Sequence, residues 1–374
     1  MAVQRFVVTP NEATAEAPYI ERNIAMTRSA FGLTSVAATN YPAVESITPS
    51  ASVLAQGELG DATIWTPSAV QQAFTQLQTI RPYYRLSDVQ YDRYRINGKP
   101  RQVLVAARQI DSSGLPEQAR TWVNTHLVYT HGYGLAMSAT SKTSADGFPK
   151  FVLGDVPQRV ASDVASASPD LGLVEPRIYF DTGWDNYAIV DTGIDEFDYP
   201  LGQKNVTYRY ESDGGIALGS LPRRLAWALR LNSSQVLFSD YLKPESRVLL
   251  YRNVWQRASR LAPWLSCSKP YSAIIDGRVM WLMDAYTSSD HFPYSQPLSD
   301  GTNYMRDSVK ITVDALTGET TFYAVGEDPV RDAWARIFPT LITSADKMPA
   351  EVAAHVRLLN VLQIKHAVAA REFR

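Results

Sequence analysis

Apolar and polar positions change their period several times along this chain, and each change marks a new element. The opening run AVQRFVV reads as a strand stopped by Pro10 and Asn11. APYIERNIAMTRSAFGL (17–33) then places Ile20, Ile24, Met26, Ala30 and Phe31 on a helical stripe that ends at Gly32. Residues 34–67 are rich in Ser, Thr, Ala and Pro without a sustained period, which predicts an irregular surface segment. In TPSAVQQAFTQLQTI, Ser68 is an N-cap candidate and Val70, Phe74, Leu77 and Ile80 keep helical spacing. DVQYDRYRINGKPRQVLVAARQI (88–110) alternates on both sides of Asn97-Gly98, a pair that accepts the positive φ of a type I′ hairpin.

A short helix from Pro116 through Trp122 is expected next, followed by a strand at His126–Tyr129. FPKFVLGDVP, RIYFDT, NYAIVDTG and NVTYRYES read as further short strands. Residues 221–231 and 244–265 read as helices, the second starting at Pro244 with Val248, Tyr251, Trp255, Ala258 and Leu261 on one face. Asp276-Gly277 and Thr317-Gly318 mark two more hairpin turns, and 329–374 reads as helical. The sum is an α+β protein, mostly antiparallel sheet built from hairpins, with several amphipathic helices packed on it. It divides into an N-terminal strand and helical segment (1–80), a mixed β-rich core (81–328) with a helical insertion near 221–265, and a C-terminal helical segment (329–374), unless all three form one domain.

Composition narrows the class. A chain of 374 residues that is 45% hydrophobic can bury a sizeable core. Its 36 basic and 38 acidic side chains nearly cancel, so no electrostatic footprint points to nucleic acid. Cys267 is the single cysteine, which excludes an internal disulfide and any multi-cysteine metal site. No run approaches the roughly 18 to 20 apolar residues that span a bilayer, and no signal peptide is present, so the chain as given is expected to be soluble. Its abrupt apolar opening points to a domain excised from something longer.

Several long stretches, taken in order, carry a resemblance: PNEATAEAPYIERNIAMTRSAFGL, TIRPYYRLSDVQYDRYRINGKPRQVLVAAR, TWVNTHLVYTHGYG, EFDYP, GSLPRRLAWAL, SRVLLYRNVWQRASRLAPWL, DGRVMWLMDAYT and FPYSQP. Together they resemble the large soluble part of uncharacterised protein family 0182. The resemblance implies a bacterial membrane protein with several spanning helices at its N-terminus, followed by an extracytoplasmic region of which this chain would be most. It implies no activity and no cofactor. Where the family tends to show Asp-x-Asp-Pro-Tyr, this chain has Cys267-Ser268-Lys269-Pro270-Tyr271, which argues against an essential carboxylate pair there; the last twenty residues also drift from the family pattern.

The residues that could carry chemistry are few. THLVYTHGYG holds His126 and His131, which point to opposite faces of a strand and lie about 140° apart on a helix, so regular structure gives no ligand pair. The structural alternative is a core histidine bonded to backbone, with Gly132 and Gly134 turning the chain. DAYTSSDHFPYS brings Asp284, Tyr286, Asp290, His291 and Tyr294 close together, which suits an acid/base pair, a metal site or an ordinary surface loop. In IDEFDYP, Asp195, Glu196 and Asp198 form either a carboxylate pair of the glycosidase kind or a solvated turn. Aromatic residues could stack on sugars or simply pack. Cys267 would need a neighbouring base to act as a nucleophile.

Two functions follow. The preferred one is a non-catalytic extracytoplasmic domain of a membrane protein that binds an envelope polymer or a partner protein and supports its own membrane-spanning part. The other is an envelope-acting hydrolase or transferase whose catalytic candidates are His126, His131, Asp284, Asp290 and His291, which would have to converge on one cleft.

Overall fold

The computed structural model describes residues 4–34, 36, 62–164, 168–183 and 186–357. Most of the irregular segment expected at 34–67 and the tail beyond residue 357 therefore lie outside the described residues. Helices α1 (Glu12–Ala30) and α2 (Pro67–Gln78) come first. Strands β1 (Tyr84–Leu86), β2 (Gln90–Ile96), β3 (Lys99–Ile110), β4 (Gly132–Tyr133), β5 (Leu135–Thr143), β6 (Pro149–Gly154) and β7 (Arg159–Val160) follow. All of these except β4 form one six-stranded sheet, ordered β1-β3-β5-β6-β7 with β2 also on β3.

The middle of the chain contains β8 (Arg177–Ile178), β9 (Ala188–Val190), β10 (Glu196–Leu201), β11 (Lys204–Tyr208), β12 (Ile216–Ala217), α3 (Leu221–Leu231), α4 (Gln235–Phe238) and β13 (Arg247–Leu249). Its strands pair in small sheets: β4 with β8, β10 with β11, and β12-β13-β9. After α5 (Val254–Leu261), a second six-stranded sheet is built from β14 (Ser266–Cys267), β15 (Tyr271–Ile275), β16 (Arg278–Ser289), β17 (Tyr304–Asp314) and β18 (Thr320–Ala324). Helix α6 (Pro329–Ile337) leads to β19 (Ile342–Ser344), the sheet's last strand, and α7 (Ala350–His355) follows. The pairings are antiparallel except β18 with β19, so the protein is α+β with mostly antiparallel sheet.

Alternation explains why the long strands are buried on both sides. In β3, Val103, Val105 and Ala107 point into the main core, while Leu104 and Ala106 point the other way, onto Val70 and Phe74 of α2. In β16, Trp281, Met283 and Ala285 join the same main core, whereas Leu282 joins Tyr271, Tyr323 and Val352 on the opposite face. The two large sheets thus share one apolar cluster, reinforced where the backbone N–H of Ile274 donates to Tyr94 Oη at 2.9 Å. Each large side chain buried this way contributes about 1.5–3 kcal/mol.

The Asn97-Gly98 and Asp276-Gly277 turns form as expected, with positive φ at all four residues. Helix α1 begins earlier than the stripe predicted, and it ends at Gly32 (φ 70°), where Leu33 N–H bonds Arg28 O as in a Schellman motif. The cap of α2 is Thr66, one turn before its buried Val70, and not Ser68. At Thr317-Gly318 only Gly318 has positive φ; a longer loop is held by Asp314, whose carboxylate accepts from Leu316 and Thr317.

Five expectations are overturned. The opening run is a helical turn at Gln4–Val8, and His126–Tyr129 is also largely helical, within Asn124–Val128, because Thr121 caps that turn through Asn124 N–H. The Pro116 helix shrinks to a single 3-10 turn at Glu117–Ala119. The 244–265 helix splits: Arg247–Leu249 is claimed by sheet pairing on both sides, Tyr251 takes φ 50°, and Asn253 caps a new helix by accepting from Gln256 N–H. The tail is interrupted by β19, which pairs in parallel with β18.

The HGYG turn rests on a close approach. A Cβ on Gly132 would come within 2.2 Å of Arg108 O and 2.7 Å of Gln109 Cα, both backbone atoms, whereas Gly98 has open space at φ 74°. Gly132→Ala is expected to cost about 3 kcal/mol and Gly98→Ala about 1 kcal/mol, read as shifts in denaturant midpoint. Equal costs would show that the approach at Gly132 is not tight.

Candidate functional site

His131 sits just before β4, wholly buried, with its ring against Tyr179 at 4.6 Å between centroids. Strand β10 supplies its two acidic neighbours. Glu196 and Asp198 lie two apart and so share a strand face, and a bulge at Asp198 takes that residue out of register with β11. His131 Nε2 lies 3.3 Å from Asp198 Oδ1, and Nδ1 lies 3.6 Å from Glu196 Oε2. The IDEFDYP carboxylates are therefore core residues and not a solvated turn; only Asp195 faces solvent, paired with Arg209 at 2.7 Å.

The hydrogen-bond pattern favours a charged ring. The Thr130 hydroxyl donates its one proton to Glu196, so it accepts from His131 Nδ1 at 2.9 Å. Nε2 faces a carboxylate and also donates, which makes the ring an imidazolium. Desolvation alone would lower its pKa, but hydrogen bonds to Asp198 and Glu196 outweigh it and raise the value above the ordinary 6.5. Burial likewise works to raise the Asp198 pKa, and bonds from His131 and Arg177 overcome it, holding the carboxyl below 3.8.

The rest of the cluster is equally saturated. Glu196 accepts from Tyr179 Oη at 2.8 Å and from Tyr210 N–H at 3.1 Å. Arg177 grips Asp198 at 2.8 Å and Glu175 at 3.1 Å while stacking 3.5 Å over the Tyr208 ring. Arg252 donates to Tyr179 O at 2.7 Å and to Thr130 O. Arg252 also borders a polar cleft of about 370 Å³ with Asp111 and Asp181. Burial raises the Asp181 pKa despite the neighbouring Arg252.

The other candidates go elsewhere. His126 stacks on Tyr187 with ring centroids 3.9 Å apart, and its Nδ1 bonds Tyr187 O at 2.9 Å, so it contacts a different wall from His131. Asp284 belongs to β16 and is buried against Lys310 at 2.8 Å, which also holds Asp307 at 2.6 Å. Asp290 and His291 pair with each other in the exposed loop after β16, their side chains 66% and 87% exposed. Ser289 lies five residues along the strand from Asp284, about 17 Å of extended chain, and Asp284 is buried while His291 is exposed, so the two do not share one position. Tyr294 is exposed, with φ 59°. Burial pushes the Cys267 thiol up to about 11, the opposite of an activated nucleophile. No group of three or more His, Cys, Asp or Glu suited to a metal ion occurs among the described residues.

Arg177 and Tyr179, which complete the cluster, were not singled out by spacing, and neither was a second buried pair, His355 with Asp92 at 2.9 Å. The one local signal was the Glu-x-Asp spacing of β10, two polar residues on a single face of a strand otherwise apolar enough to be buried.

Residues 1–365 match the Uncharacterised protein family (UPF0182). The chain belongs to that family. Among UPF0182 proteins it is 41% identical over 358 residues to one from Pelotomaculum thermopropionicum, covering 95% of this chain and 38% of the relative. It is 40% identical to one from Moorella thermoacetica, over 96% of this chain and 39% of the relative, and 38% identical to one from Trichodesmium erythraeum, over 97% and 41%. The chain thus spans about two fifths of the length of these curated relatives. No solved structure matches. No helix among the described residues is long and apolar enough to cross a membrane.

The cluster makes a prediction about stability. Removing one member leaves buried charge without its partner, so His131→Gln and Asp198→Asn are each expected to cost about 3 kcal/mol. A raised histidine pKa means the stability it adds is fully present below pH 6.5 and lost as pH rises through the folded value. For Asp198 the contribution is present above 3.8 and lost as pH falls. The melting-temperature gap between wild type and His131→Gln should be widest between these limits and narrow on the alkaline side. A gap constant up to pH 9 would refute the imidazolium.

Proposed function

We propose that this chain is a non-catalytic, extracytoplasmic part of a membrane protein, and that it binds an envelope component or a partner protein alongside its own membrane-spanning portion. The observation that carries this reading is the closed state of the His131 cluster: both His131 nitrogens are engaged, and the ring has no exposed surface. Catalysis by His131 would require a substrate to reach a ring already surrounded by Tyr179, Thr130, Glu196 and Asp198. The cluster acts instead as a brace, leaving the surface and its clefts for binding. The family resemblance, and relatives more than twice as long as this chain, support placement next to a membrane-embedded portion.

The test measures binding of the purified chain to cell-wall polymer, to lipid vesicles and to the remaining portion of a full-length relative, with a phosphatase fusion at its C-terminus in the parent reporting its side of the membrane. Saturable binding to at least one of the three and an active phosphatase are expected. Absence of all three interactions, or an inactive fusion, would overturn the reading.

A further inference from the structure

The groove beside α5 has a chemistry the brace does not use. It holds about 500 Å³, within the range of small-molecule sites. Its walls include Phe180, Ile216, Val248, Leu250, Tyr251 and Leu261, of which Ile216 is 44% and Leu261 47% exposed. Two cations border this apolar trough, Arg257 and Arg260, one helical turn apart on α5. No carboxylate is among the described lining residues, and no ion pair joins either arginine to a described residue.

What the two arginines do contact is uncharged. Arg257 donates to Thr320 Oγ1 at 3.1 Å and Leu250 O at 3.2 Å and lies 4.9 Å from the centre of the Phe180 ring. Burial lowers its pKa with no acidic neighbour to offset the effect. Arg260 lies over the Tyr251 ring at 4.5 Å, and Tyr251 Oη accepts from Arg230 at 2.7 Å. Tyr251 itself is held at φ 50°, a conformation that costs an L-residue energy and is kept where the surroundings require it. Positive charge thus borders an apolar trough, and a half-buried guanidinium without a counter-charge is the side chain expected to receive an anion.

We propose that this groove binds a single-chain anionic amphiphile, its acyl chain along the trough and its carboxylate or phosphate head on Arg257 and Arg260. The occupant is a free monomeric species and not a lipid lodged in a bilayer. This deepens the binding reading above, and rests on it, by naming one ligand class.

The test titrates the whole chain by calorimetry with dodecanoate and with dodecyl phosphate, both kept below their micelle concentrations, and with uncharged dodecyl maltoside. Both anions should bind with one-to-one stoichiometry, the maltoside at least tenfold more weakly. Arg260→Gln and the double variant Arg257→Gln/Arg260→Gln should each lose about tenfold or more in affinity for the anions. Leu261→Glu, an exposed change that brings a carboxylate to the rim, should lose as much while keeping the wild-type melt. Equal binding of the maltoside, anion binding unchanged in folded double variant, or binding to phosphatidylglycerol vesicles with none to monomeric dodecanoate would each overturn the proposal. A negative result here leaves the polymer, vesicle and membrane-portion arms of the broader reading standing, whereas failure of all three of those arms removes the broader reading itself.

Discussion

A protonated histidine enclosed between two carboxylates is the contact on which the middle of this molecule depends. The small sheets there are short, two or three strands each, and pairs of that size are marginal alone. The His131 cluster joins the two-stranded ones: the ring precedes β4, Arg177 lies on β8, Glu196 and Asp198 on β10, and Tyr208 on β11. Each charge is met by an opposite charge or by several donors, which is the condition under which burying ions is tolerated. Remove one and the remainder becomes a liability, so the cluster specifies a geometry more than it adds net stability.

Around that centre the two large sheets supply the bulk of apolar burial, and they do so without requiring the cluster to be apolar. Trp281 shows the join. Its ring is fully buried in the shared core, yet its Nε1–H reaches Phe180 O at 2.8 Å, the carbonyl of the residue that follows Tyr179 in the cluster. Asp328 plays a comparable part at the far end of the second sheet, accepting from Thr287, Tyr304, Ser308 and Val330 while capping α6. In both places a polar atom anchors an otherwise non-directional core.

Local demands were legible in the chain and non-local ones were not. Asn97-Gly98 and Asp276-Gly277 announce their turns because the requirement for positive φ is met within the dipeptide itself. Helix 221–231 is likewise written in its own spacing. Residues 247–249 look helical by period, but β9 and β12, dozens of residues upstream, take them as a strand. The candidate site failed to appear for the same reason. His131 was visible, but its acidic partners lie 65 and 67 residues away and Arg177 lies 46 away, and no local rule says that a Glu-x-Asp strand will be buried against a histidine instead of facing water.

The brace and the groove are two sides of the same backbone. Tyr179 sends its side chain to Glu196, and the next residue, Phe180, forms a wall of the groove. Arg252 reaches the carbonyls of Thr130 and Tyr179, and the residue before it, Tyr251, forms another wall. In each pair one side chain is committed to the charged cluster and its neighbour to the apolar trough. Tyr251 takes a left-handed conformation there, and the next residue, Arg252, bonds to two different strand ends. The bonds of Arg252 to Thr130 and Tyr179 therefore tie one wall of the groove directly to the charged cluster, so the two features share a single piece of backbone.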